Sequence, residues 1–72
     1  MSEAFPSNVQ QKAREFIGAL KASVKVRRYA EAYLDHLLGG GPEPQEFKVG
    51  QGQPSFGYVR RRIDRILNEQ DT

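Results

Sequence analysis

Four arginines within six positions, Arg60, Arg61, Arg62 and Arg65, with Tyr58 just upstream, form the densest group of chemically capable side chains in the sequence. A guanidinium presents a fixed fork of donors that fits phosphate oxygens or a guanine edge, and a tyrosine can hydrogen-bond to a phosphate or stack on an unpaired base. Wound as a helix at about 100° per residue, Arg61, Arg62 and Arg65 fall on one side with Tyr58 projected among them. Phe56, Val59, Ile63, Ile66 and Leu67 fall on the other. One helix is therefore expected to serve as both core and cationic face. Asp64 and Glu69 stand in the same stretch, and Arg65 and Glu69 are spaced i, i+4, so a solvated, self-paired surface stays open beside a binding one.

Lys25, Arg27 and Arg28 make a second patch at the start of another expected helix. The recognition helix of a helix-turn-helix contacts bases mainly through its N-terminal residues. Cations at a helix N-terminus also oppose the macrodipole, a small destabilisation that a phosphate partner relieves. Such a motif would use the first two helices, because the link between the second and third far exceeds the usual turn of about 3–4 residues.

Catalytic and metal chemistry find little to work with. His36 is the only histidine, it lies near the edge of an apolar stripe, and no sequence neighbour forms a nucleophile and base pair with it. Scattered carboxylates with one histidine and no cysteine do not make a metal-ligand set. Gly39-Gly40-Gly41 and Gly50-Gln51-Gly52 lack the strand before and the helix and lysine behind that a phosphate loop requires, so helix termination and turning account for them. The start of the third helix, at Ser55, Phe56, Gly57 and Tyr58, offers free backbone N–H groups that could meet a phosphate. No enzyme and no cofactor are expected.

The elements that must position these side chains follow from periodicity. Val9, Ala13, Phe16, Ile17 and Leu20 form one amphipathic stripe, and Val26, Ala30, Tyr33, Leu34 and Leu37 form another with the same internal spacing. In a single continuous helix the two stripes would be rotated apart by about 100°. A break near residues 21–24 resolves the conflict, with Ser23 as cap of the new helix. Ser7 is read as the first cap, with Gln10 three residues later completing a capping box. Gly39-Gly40-Gly41-Pro42 ends the second helix. The expected plan is a mainly α, small three-helix domain: residues 1–6 loose, helices over 7–22, 23–38 and 55–69, a Gly/Pro-rich connection over 39–54, and a polar tail at 70–72 that frays with the N-terminus. Phe47 and Val49 alternate as in a short strand or hairpin arm. The same two residues fit a loop pinned by Phe47 in the core.

Seventy-two residues allow one domain with a thin core. Apolar residues at 38% and charged residues at 28% fit a folded chain. A net charge of +2 and a pI of about 9.2 tilt it toward base, and Lys12, Arg14, Lys21, Lys25, Arg27 and Arg28 face only Glu3 and Glu15 up to that point. No apolar run reaches the roughly 18 residues of a membrane span. The start lacks a basic, then apolar, leader, so no membrane and a cytoplasmic location are expected. These features point to a binder of DNA or RNA, a small regulator or accessory factor. The alternative is a protein-interaction module that docks its arginines on an acidic partner, or pairs as a homodimer through Tyr29, Tyr33 and Leu38 at the margins of the second helix. A basic amphipathic helix can also lie on an anionic membrane, but here its apolar stripe is needed for the core.

Overall fold

The computed structural model describes residues 5–69 and consists of three helices: α1 (Ser7–Ala19), α2 (Val24–Leu37) and α3 (Phe56–Asn68). The expectation of fraying falls mostly on residues 1–4 and 70–72, outside those described. Phe5 departs from it, being half-buried and packed against the core. Among the described residues no strand forms and no helix is long and apolar enough to cross a membrane.

Helix starts follow cap chemistry at two of three sites. The Ser23 hydroxyl accepts from the N–H of Val26 at 3.3 Å, and the Ser55 hydroxyl accepts from that of Tyr58 at 3.1 Å. The expected capping box of Ser7 and Gln10 does not form. Pro6 takes the cap position in an extended conformation (φ −65°, ψ 159°), no side chain caps α1, and the Pro6 carbonyl accepts from the N–H of Gln10. Proline has this φ built in and starts the helix one residue early. The Gln10 side chain donates instead to the carbonyl of Phe5 at 2.9 Å. α1 also stops three residues short of the expected end, because Leu20 turns to an extended conformation and is buried.

The end of α2 is a Schellman closure. The N–H of Gly40 donates to the carbonyl of Asp35 and that of Gly39 to His36, with Gly39 at φ +87°. A side chain at Gly39 would strain this turn.

The three stripes converge as expected. Val9, Ala13, Ile17 and Leu20 of the first segment, Val26, Ala30 and Leu34 of α2, and Phe56, Val59, Ile63 and Leu67 of α3 form one buried cluster. Phe16, Leu37 and Ile66 pack half-buried at its rim. Tyr33, a member of the α2 stripe, is buried as that spacing predicts, and Tyr29 joins it; at 7% and 4% exposed, neither is a marginal residue open to a second copy of the chain. The reason is the neighbour: Tyr29 touches Phe56 and Arg60, and Tyr33 meets Asp64. Residue 29 pairs with 60 and residue 33 with 64, so α2 and α3 advance in the same direction along their contact.

A parallel pair of helices dictates the long connection. With 14 residues in α2 and a rise of about 1.5 Å each, the chain must travel back about 20 Å before α3 can begin. Residues 38–55 make that return. Glu46 pairs with Arg60, Phe47 sits edge-on to Phe56 with centroids 5.0 Å apart, Val49 packs on the core, and the side-chain Oε1 of Gln53 accepts from the N–H of Ser23 at 2.8 Å. Phe47 is 38% exposed. It rests on the rim of the core rather than within it.

Gly18 lies exposed in the last turn of α1, and a Cβ added there would meet nothing within 4 Å. Gly18→Ala is expected to raise stability by about 0.5–1 kcal/mol, a gain of several degrees in Tm for a chain of this size. Gly39→Ala should move Tm the other way. Thermal melts of the two variants beside the parent check both signs.

Candidate nucleic-acid interface

The four arginines of α3 have separate fates, because a helix at this spacing turns them to different sides. On the side facing α2, Arg60 and Asp64, one turn apart, meet Tyr29 and Tyr33, also one turn apart. Arg60 Nη1 donates to the Tyr29 hydroxyl at 2.9 Å and to Glu46 of the return segment. The Tyr33 hydroxyl donates to Asp64, at 3.0 Å to Oδ1 and 3.2 Å to Oδ2. The two tyrosine rings stand parallel, with centroids 6.4 Å apart. Every polar tip of these buried rings is thereby satisfied within the described residues, as burial of a hydroxyl requires.

This network shifts two titrations. Burial above all, then the hydrogen bond to Asp64 and its charge, pushes the Tyr33 hydroxyl up to about 12. The hydrogen bonds to Tyr29 and Glu46 raise the pKa of Arg60, holding it still more firmly in its charged form. Arg60 belongs to the scaffold.

The side facing α1 is built differently. The guanidinium of Arg62 lies over the ring of Phe16 at 5.4 Å from its centroid and over that of Tyr58 at 5.9 Å. The two rings are 6.5 Å apart and tilted by 58°. Both distances fall within the range of a cation–π attraction. Tyr58 keeps 40% of its surface exposed. Arg61 and Arg65 project between the two flanks, both exposed. Arg65 has an i, i+4 partner in Glu69 at 3.7 Å, and Arg61 makes no hydrogen bond or ion pair with any described residue. Arg62, Arg65, Ile66 and Glu69 together line a surface hollow.

Phe16, which the sequence offered only as a core position, and Glu46, which carried no signal, are the two residues of this region that periodicity missed. Both act across the chain, on partners more than a dozen residues away. The second basic patch stays separate. Lys25 and Arg28 are exposed and Arg27 is half-buried. By helical spacing Arg28 shares its face with Glu31 and Asp35, so acid is mixed into that surface. His36 Nδ1–H donates to the carbonyl of Gly41 at 3.1 Å and helps close the end of α2. No three His, Asp or Glu side chains among the described residues gather as metal ligands would.

The split between scaffold and free arginines is measurable. Arg60→Ala removes the partner of a buried tyrosine hydroxyl and the anchor of Glu46. It should lower the urea midpoint clearly, whereas Arg61→Ala should leave stability within about 0.5 kcal/mol, as surface changes do. The Tyr33 shift sets a pH dependence. A hydroxyl whose folded pKa lies above its ordinary value of about 10 favours the fold while neutral, so its contribution is complete below pH 10 and is lost as pH rises through about 12. The stability gap between the parent and Tyr33→Phe is expected to narrow over that window, read from denaturation midpoints at successive pH values.

In comparison with known proteins, the chain matches no family model, no curated protein and no solved structure.

Proposed function

We propose that the outward face of α3 binds the phosphate backbone of nucleic acid, DNA or RNA, with no chemistry of its own. The observation that supports this reading is the sorting of charge around the helix. Asp64 is engaged by Tyr33, and Glu46 is engaged by Arg60. The face that remains presents Arg61, Arg62 and Arg65 beside the exposed Tyr58, against a single carboxylate among the described residues of α3's end, Glu69. A cationic surface of this kind gains affinity by releasing the counterions of a polyanion. Arginine adds two-point contact to phosphate oxygens.

Lys25, Arg27 and Arg28 serve as a secondary attraction for the same polyanion. Their face carries Glu31 and Asp35 as well, so their net field is weaker.

Purified protein titrated with duplex DNA, single-stranded DNA and RNA at low and near-physiological salt tests the reading. Binding should fall steeply with salt. The Arg61→Ala, Arg62→Ala, Arg65→Ala triple variant should weaken it by tenfold or more, on the order of 1 kcal/mol for each charged contact. The salt slope should shrink by about 0.7–0.9 for each arginine that meets a phosphate. The far-UV circular dichroism should not change. Absence of binding at low salt would overturn the proposal.

A further inference from the structure

We infer that this face selects single-stranded over duplex nucleic acid, by stacking an unpaired base on Tyr58 and the guanidinium of Arg62. The inference rests on the reading of α3 as a nucleic-acid surface and specifies the form of the ligand.

Three features of the site carry it. The first is the aromatic ring itself. Tyr29 and Tyr33 spend their hydroxyls and ring faces inside the core, while Tyr58 stands 40% exposed among arginines. An exposed ring complements the face of a base, and a duplex buries base faces in its own stack while showing only edges in its grooves. The second is the state of Arg62. Its guanidinium is already held over Phe16 and Tyr58, so part of the ordering needed to present a flat cation has been met before the ligand arrives. A guanidinium plane is itself a stacking surface for unpaired bases. The third is the setting of α3. α1 touches one flank through Phe16, and the return segment touches the other through Glu46 and Phe47. A helix bordered on both sides is a floor on which a strand can lie, not a ridge that enters a groove. Arg61 and Arg65, about 6 Å apart along the helix axis, then run beside the backbone of that strand while its base turns in toward Tyr58.

The test uses the full chain with labelled oligonucleotides of about 12 nucleotides, one thymine or uracil strand and one matched duplex. Anisotropy would be recorded at about 50 and 200 mM salt. The single strand should bind at least about tenfold tighter than the duplex. Tyr58→Ala should weaken single-strand binding by about tenfold, while Tyr58→Phe keeps it, since stacking needs the ring and not the hydroxyl. Tyrosine fluorescence supplies a readout that a purely structural role would not move. Tyr29 and Tyr33 are buried, so quenching by the single strand reports Tyr58, and the quench should vanish in Tyr58→Ala with its melting curve unchanged. Equal or tighter duplex binding, or single-strand binding indifferent to Tyr58→Ala, would overturn the stacking inference and leave the backbone reading standing. No binding of either form at the lower salt, with a polyglutamate chain retained instead, would transfer the face to an acidic protein and overturn both.

Discussion

Two tyrosine hydroxyls one helical turn apart have to be satisfied inside a thin core, and α3 answers with Arg60 and Asp64 at the same spacing. The order of the pairs, residue 29 with 60 and residue 33 with 64, runs the same way along both helices, so the pairing marks both the direction and the register of α2 against α3. Unsatisfied, each buried group would cost about 1–3 kcal/mol, a large share of the stability of a domain this small. The apolar residues around it, Phe56, Val59, Ile63 and Leu67, would tolerate some sliding, since burial is not directional. The hydrogen bonds do not. From that register follow the length of the return segment, the position of Glu46 and the orientation of every other side chain on α3.

The same constraint sorts the arginines. A helix locked to α2 through Arg60 and Asp64 must turn Arg62 toward α1, where Phe16 and Tyr58 receive it, and leave Arg61 and Arg65 outward. Four residues of one type in six positions thus divide into a scaffold cation, a cation held on aromatic rings and two that face outward, one of them beside Glu69. The acids divide as well. Asp64 and Glu46 are drawn to the α2 side, and the positive field of the outer face is the remainder.

Much of this was legible in the sequence where the signal is local. Stripes such as Val9, Ala13 and Ile17, or Val59, Ile63 and Leu67, mark a core face whatever they pack against, and Gly39 after Leu38 marks a helix end because few residues accept φ +87°. The projection of Arg61, Arg62 and Arg65 opposite the α3 stripe needs only helical geometry. What was not legible depends on a partner far along the chain. Tyr29 falls outside the α2 stripe because a stripe is drawn as though one neighbour covered it, whereas α2 is covered from two directions. Phe16 beneath Arg62, Glu46 beside Arg60 and Gln53 at the N–H of Ser23 have no local pattern at all. The start of α1 was misread for a different reason: Pro6 and Ser7 both suit a helix start, and the fixed φ of proline decided it.

The return segment has an asymmetric tolerance to change. Below the roughly 20 Å it must cover, shortening would pull α3 out of register and unpair both tyrosines. Above that reach, chain entropy grows only logarithmically, about 0.6 kcal/mol for each doubling of a flexible loop. Residues between Gly41 and Gln45, past the closure of α2 at Gly39, Gly40 and Gly41 and upstream of the anchors at Glu46, Phe47 and Gln53, can therefore be added to at little thermodynamic cost. Growth there would leave the Tyr29–Arg60 and Tyr33–Asp64 pairs in register.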